Sequence, residues 1–370
     1  MKKFKLNEYK DFKQYFNLLD VLIKTESSNK ELFLEEINIS PSSYRRVKKD
    51  GNKIGDTILT KLAKYFKYNL CKSTLIDEIE AKINIIYFDI YYKNYENYSN
   101  HYEWLEEMIN KRYIIFPIFK LFKLLMIVND KNNPINIQNI YRELYNEVTE
   151  YKAFYGEEFE EILEILDVTF KEELDDYYLS NDYVNELTYH TLASRCTVMG
   201  RYLESIYFCN VVKNKYFVDE NYKRIYFINL ILMANYNYLL KFKKANLLAQ
   251  KQLLNLESIK NYDLEYQLTK GAYAITCLGL KDYKEVINVL HDKDGLTLTE
   301  LVSLLISFYN IDIKKYKDLY EEYIPTNENS ETYKCLVLLY DILHNNKKRI
   351  YELDQFNINK CILEILKKCK

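Results

Sequence analysis

Residues 28–51, SNKELFLEEINISPSSYRRVKKDG, have the spacing of two short helices joined by a tight turn. Asn38 lies in the turn, and asparagine is the residue type after glycine that most readily adopts left-handed backbone angles. Ser40 can cap the second helix, and Pro41 suits its first position, where the missing N–H would have no partner in any case. The stretch therefore predicts a helix, a turn and a second helix that begins at Pro41.

The side chains of this stretch divide into an apolar and a cationic face. Ser28 and Glu31 have the spacing of a capping box, which predicts the start of the first helix. The apolar residues fall where two crossed helices would bury them against a third: Phe33, Leu34, Ile37, Ile39, Tyr44 and Val47. The outward residues would be Ser42, Ser43, Arg45, Arg46, Lys48 and Lys49. Because Arg can bond guanine edges while Lys and Ser bond phosphates, these six predict a DNA-binding helix-turn-helix.

Net charge separates the N-terminal part of the chain from the remainder. Residues 1–72 hold 16 Lys and Arg against 9 Asp and Glu, which leaves 36 against 45 in the rest, so the balances are +7 and −9. A basic end on an acidic body orients an encounter with a polyanion, although a small basic helical domain can also dock proteins. The charge change and the linker-like residues 68–73 predict two domains, 1–70 and 71–370.

The body of the chain has the pattern of an all-α fold. After residue 70 the sequence contains only three prolines and five glycines. These are too few turn-forming residues for the many turns of a β fold. Long runs with apolar residues at i, i+3 and i+4 indicate helices instead. The helical segments predicted outside the repeats are 73–99, 101–129, 135–152, 157–178, 299–324, where Thr297 and Glu300 form a capping box, and 331–369, where Ser330 can cap.

Three segments of the body repeat. They align on the aromatic residues Tyr202, Phe242 and Tyr283, which are spaced by 40 and 41 residues. Small or apolar residues recur nine positions before and three positions after each aromatic: Ala193, Met233, Ala274, Ser205, Ala245 and Val286. Antiparallel helix pairs need such positions to approach closely and stack, so the repeat predicts an α-solenoid. A run of generic helical hairpins is the alternative.

Two parts of the sequence resemble known families. Residues 30–51 resemble the DNA-binding domain of Xre/Cro-type repressors and align with its pattern without a gap. Asn38 takes the place of the family's turn glycine, Tyr44 and Val47 take its core positions, and Gly51 takes the glycine after the recognition helix. The repeated segments resemble tetratricopeptide repeats, best at residues 277–283, with a period longer than that family's 34 residues.

The whole chain resembles the peptide-sensing transcription regulators of the Rgg and PlcR group, with the arbitrium receptors of phages as distant relatives. The resemblance implies a right-handed solenoid, a homodimer that binds double-stranded DNA, and a short signalling peptide bound in the solenoid groove, as in quorum sensing. On that basis the peptide-binding residues would be His190, Ser194, Asn237 and Tyr238. A solenoid scaffold for a protein partner and a phage-type repressor without a peptide ligand are alternatives.

No catalytic pattern stands out in the sequence, and we expect neither an enzyme nor a cofactor. The four histidines form no HExxH motif and the seven cysteines no CxxC pair, which disfavours zinc and suits reduced thiols of a cytoplasmic protein. The acidic residues 157–176 have the spacing of a solvated helix face, and residues 291–295 lack the later ligands of a calcium loop. The longest apolar stretch, 113–128, contains a proline and two lysines, so no membrane span is expected.

Overall fold

The computed structural model consists of helices and connecting turns over the residues that it describes. These residues are 2–10, 13–50, 54–130, 137–259, 262–291, 293, 295–344, 347–356 and 358–368. They contain no strand, and an isolated bridge joins Asn69 to Tyr113. The predicted all-α class is therefore confirmed. In the same part of the chain, no helix is both long enough and apolar enough to cross a bilayer.

The chain divides into two compact units, Met1–Thr191 and Leu192–Lys370. The described α-helices of the first unit are α1 (Lys13–Glu26), α2 (Lys30–Glu36), α3 (Pro41–Asp50), α4 (Ile54–Tyr65), α5 (Ser73–Tyr92), α6 (Tyr98–Asn110), α7 (Phe116–Asn129), α8 (Ile137–Ile140), α9 (Arg142–Glu150), α10 (Lys152–Tyr155), α11 (Glu160–Phe170) and α12 (Asp176–Ser180). Helix α13 (Glu186–Val198) leads into the second unit. The boundary near residue 70 stays a prediction.

The described α-helices that follow in the second unit form hairpins and then a C-terminal group. They are α14 (Tyr202–Val218), α15 (Tyr222–Tyr238), α16 (Phe242–Glu257), α17 (Asp263–Gly279), α18 (Tyr283–Leu290), α19 (Leu298–Ile311), α20 (Ile313–Tyr323), α21 (Glu331–His344) and α22 (Lys360–Lys368). The capping box of Thr297 and Glu300 is confirmed at the start of α19. A 3-10 segment, Lys347–Gln355, separates α21 from α22, so the segment predicted over 331–369 is not one helix.

Helices α1 to α4 form the predicted small core around the residue 28–51 stretch. Asn38 has φ 57° and α3 begins at Pro41, which confirms both turn predictions. The N-cap of α2 is Asn29, whose side chain accepts hydrogen bonds from two backbone N–H groups, and the capping role predicted for Ser28 is wrong. The predicted Gly51 position lies outside the described residues. The core side chains include Phe16, Leu19, Ile23, Phe33, Leu34, Tyr44, Val47 and Leu62.

An N-terminal arm, defined here as residues 2–9, packs on helices of the same unit that are distant in sequence. Phe4 is 1% exposed, and its ring lies 4.9 Å from Tyr87, 5.4 Å from Phe122 and 5.3 Å from Phe159. Its backbone N–H donates to Asn84 Oδ1 at 2.8 Å, and its carbonyl accepts from Asn84 Nδ2 at 2.9 Å. The arm is thus fixed by both apolar burial and paired backbone groups.

Residues 68–73, which look like a linker in the sequence, are pinned to the turn between α6 and α7. The ring of Tyr68 stacks on that of Phe116 at 4.9 Å. Asn69 donates its backbone N–H to the carbonyl of Arg112 at 2.8 Å and accepts from the N–H of Ile114 at 2.9 Å. Helix α6 ends at Asn110 and Arg112, two residues later, has φ 52°, so the helix predicted over 101–129 is two helices. The connection after α4 is therefore held in place rather than free to swing.

The second unit shows the predicted repeat register. Helices α14, α16 and α18 begin at the three aligned aromatics. Two positions earlier, Gly200, Leu240 and Lys281 have φ of 77°, 56° and 62°. The next residue closes each turn by donating its N–H to a carbonyl five positions back, at 2.7–2.9 Å, as in a Schellman motif. All six close-approach positions are completely buried: Ala193, Ser205, Met233, Ala245, Ala274 and Val286.

Contacts between successive hairpins also recur at equivalent positions. Tyr202 stacks on Tyr238 with 4.9 Å between ring centroids. One repeat later, the ring of Phe242 lies against Gly279, where an added Cβ would come within 2.3 Å of it. The side chains of Thr197 and Asn235 are hydrogen-bonded at 3.1 Å. Those of Thr276 and Asn237 repeat this bond at 3.1 Å, again between equivalent positions. The predicted equivalence of the segments thus extends to their side-chain contacts.

Candidate DNA-binding surface and helical groove

Helix α3 is anchored by its apolar side. Tyr44 and Val47 are completely buried, and the ring of Tyr44 packs edge-on against Phe16 with centroids 5.4 Å apart. The Tyr44 hydroxyl donates to Asp20 Oδ1 on α1 at 2.7 Å. Burial of the two residues on one side fixes the rotation of α3 about its axis, so the opposite side faces solvent.

The six predicted contact residues of α3 differ in exposure. Ser42, Arg45, Arg46 and Lys49 are exposed, whereas Ser43 and Lys48 are half-buried. The Ser42 hydroxyl lies 2.7 Å from that of Ser40, within hydrogen-bond distance. The outward side of α3 therefore presents three of its four cations, Arg45, Arg46 and Lys49, to solvent.

The cations of α3 fall into paired and unpaired groups. Arg45 forms an ion pair with Glu31 on α2, and Lys48 forms one with Asp20. Arg46 and Lys49 have no ion-pair partner among the described residues. A cation without an internal partner gives up no bond when it binds an external anion, so Arg46 and Lys49 are the most available of the set.

Asp20 on α1 provides the negative charge that pairs with cations of α2 and α3. Its carboxylate binds Lys30, Lys48 and the Tyr44 hydroxyl. Burial alone would raise the pKa of Asp20, but the hydrogen bonds from these three side chains outweigh it and hold the pKa below its ordinary value. Asp20 therefore remains ionised and keeps Lys48 on the flank of α3. No local pattern predicts this pairing, because Asp20 and Lys48 are on different helices.

Asn237, predicted to face an open peptide groove, is enclosed by its own unit. It is 2% exposed, and its side-chain oxygen accepts the hydrogen bond from Thr276. Its backbone carbonyl accepts from the thiol of Cys361 on α22 at 3.3 Å. Helix α22 packs on α15 and α17, and its buried side chains are Cys361, Ile362, Leu363, Ile365 and Leu366. The C-terminal helix thus covers part of the predicted groove face.

Tyr238 lies at the edge of this covered region. It is half-buried, and burial raises the pKa of its hydroxyl. Together with Tyr202, it lines a cavity of about 370 Å³ beside α22, whose other lining residues are Tyr351, Asp354, Lys360, Cys361, Leu363, Glu364 and Lys367. The remaining predicted peptide residues are on α13, where His190 is half-buried in the first unit and Ser194 is exposed in the second. Asn237 and Tyr238 are neighbours in the sequence on α15, and the peptide contacts of all four residues stay a prediction.

A buried acid and histidine in the first unit were not singled out by the sequence pattern. His101 Nε2 lies 2.7 Å from Asp89 Oδ2, and both side chains are about 5% exposed or less. Asp89 also accepts hydrogen bonds from the amides of Asn94 and Asn97 at 2.9 and 3.0 Å. Because Asn94 and Asn97 lie in the α5–α6 connection and His101 lies in the first turns of α6, the carboxylate ties that connection to α6. No cluster of three potential metal-ligating side chains occurs in the part of the chain that the structure describes.

In a comparison with known proteins, no protein-family model, curated protein or solved structure matches the chain.

Proposed function

We propose that the protein is a DNA-binding transcription regulator of the helix-turn-helix type, with α3 as its recognition helix. The observation that carries the proposal is the exposed cationic side of α3, on which Arg46 and Lys49 have no ion-pair partner among the described residues. The buried side of the same helix is fixed by Tyr44 and Val47. A helix that is anchored on one side and presents exposed cations on the other suits the major groove of duplex DNA.

The individual side chains support distinct contacts with a duplex. Arg46 has a planar guanidinium that can donate two hydrogen bonds to one guanine, whereas Lys49 suits a phosphate oxygen. Arg45 and Lys48 are already paired with Glu31 and Asp20, and those carboxylates would compete with DNA for them. We therefore expect Arg46 and Lys49 to contribute more affinity than the other two cations.

We further propose that the second unit is a tetratricopeptide-like solenoid that modulates DNA binding. The equivalent turns and the repeated contacts between its hairpins support that architecture. A short peptide remains the proposed signal, and a homodimer the proposed assembly. The cover that α22 forms over Asn237 favours a second candidate, a phage-type repressor that needs no peptide. The two differ in whether any short peptide changes the affinity for an operator.

Equilibrium binding of the full chain to fluorescent duplex DNA tests the proposed function. We expect the logarithm of the binding constant to fall linearly with the logarithm of the salt concentration. The slope should be about −0.9 for each phosphate that the protein neutralises. A pool of random duplexes should also be enriched for a common sequence after selection on the protein. Absence of binding at low salt, or binding without any sequence enrichment, would contradict a sequence-specific regulator.

A further inference from the structure

The solvent-facing side of α14 carries no charged residue. Its exposed residues follow one another at the spacing of a single helix face, and they are Leu203, Tyr207, Asn210, Asn214, Phe217 and Val218. The four apolar or aromatic members are 59–81% exposed. Charged residues are the usual cover of a solvated helix face, and contiguous exposed apolar surface marks an interaction site. We call these six residues the α14 face.

The equivalent helix of the next repeat shows that the repeat fold itself does not require this composition. Helix α16 exposes Leu247 and Leu254, which are 71% and 69% exposed. Between and beside them, it also exposes Lys243, Lys244 and Lys251. The two helices begin at equivalent aromatics, so the fold of the repeat does not explain why the fully exposed residues of α14 include no charge while those of α16 do.

The order of residues along the α14 face is symmetric about its middle. Two apolar residues, Leu203 and Tyr207, lie at one end, and Phe217 and Val218 lie at the other. The amides of Asn210 and Asn214 lie between them. A twofold axis across the middle of the helix would run two copies antiparallel and place each apolar end opposite the other. We infer that the α14 face is the contact between two copies of this chain in a twofold dimer.

The central asparagines fit this arrangement chemically. A side-chain amide both donates and accepts hydrogen bonds, so Asn210 of one copy can pair with Asn214 of the second, and the reverse pair follows from symmetry. Tyr207 then lies opposite Phe217 of the second copy. A charge at any of these positions would be buried opposite an apolar side chain or an amide of the second copy, without a counter-charge, which accounts for the absence of Lys, Arg, Asp and Glu from the face.

The oligomeric mass of the full chain, measured without DNA by light scattering and sedimentation, tests this inference. We expect a dimer for the parent chain and at least about a hundredfold weaker dimerisation for the Tyr207→Asp plus Phe217→Asp variant. The matched control, Leu247→Asp plus Leu254→Asp, places the same charges on equally exposed positions of α16 and should remain dimeric. Circular dichroism checks that each variant is folded.

A second variant keeps the inference testable if the aspartates disturb folding. Asn210→Cys plus Asn214→Cys should form disulfide-linked dimers under mild oxidation, without larger oligomers, because a twofold contact closes on itself. A monomeric parent chain, a folded aspartate variant that dimerises like the parent, or cysteines that do not cross-link would overturn the inference. The dimer would serve the proposed regulator, but these measurements use no DNA, so their failure is distinguishable from a failure of DNA binding.

Discussion

Replacing both Arg46 and Lys49 by alanine is expected to weaken binding of the full chain to a selected duplex by about a hundredfold. The estimate combines ~1–3 kcal/mol for a good base contact with the loss of one phosphate contact. Both side chains are exposed and lack an ion-pair partner among the described residues, so their removal breaks no ion pair within that part of the chain. The change is measured by fluorescence anisotropy at fixed salt, with circular dichroism as the check on folding.

The control for this variant removes two positive charges elsewhere. Lys243 and Lys244 are exposed on α16 in the second unit, and their replacement by alanine changes the net charge by the same amount. Its effect on DNA affinity should stay within about threefold, because neither lysine belongs to α3 and the proposal assigns neither of them a base or phosphate contact. Equal losses in the two variants would show that total charge, and not the surface of α3, determines DNA affinity.

Replacing Phe4 by alanine is expected to destabilise the first unit by about 3–5 kcal/mol, the range for a large buried aromatic. The side chain is 1% exposed and its ring touches three aromatic rings of the same unit. Urea unfolding followed by tryptophan fluorescence measures the loss. Trp104 is the single tryptophan of the chain and lies on α6, so the signal reports the first unit.

Lys5→Ala is the matched control on the N-terminal arm. The Lys5 side chain is exposed, and the hydrogen bond that its backbone N–H donates to Glu158 is retained in alanine. We expect its free energy of unfolding to change by less than about 0.5 kcal/mol. An equally small change for Phe4→Ala would show that the arm does not contribute to the stability of the unit.

Local backbone rules made the turn and the repeat predictable. The left-handed conformation of Asn38 and the helix start at Pro41 depend on residue types at single positions. The repeat register depends on a fixed period, so the burial of Ala193, Met233 and Ala274 could be expected without knowledge of their partners. Both predictions use information that lies within one hairpin or one period.

Long-range packing accounts for what the sequence did not reveal. Phe4 meets residues about 80 to 155 positions away, and no periodicity links it to them. Helix α22 likewise packs on α15 and α17. The sequence contains many apolar helix faces and does not show which of them α22 contacts. The repeat pattern therefore predicts an open groove at Asn237, whereas in the structure Thr276 and Cys361 are bonded to it.

Chemical footprinting of lysines tests the central claim that the cationic side of α3 enters duplex DNA. The acetylation rate of Lys49 would be measured by mass spectrometry for the full chain alone and with a saturating selected duplex. The account predicts that DNA slows acetylation of Lys49 while the exposed lysines Lys243 and Lys244 react as before. A complex in which Lys49 reacts as fast as in the free chain would contradict it.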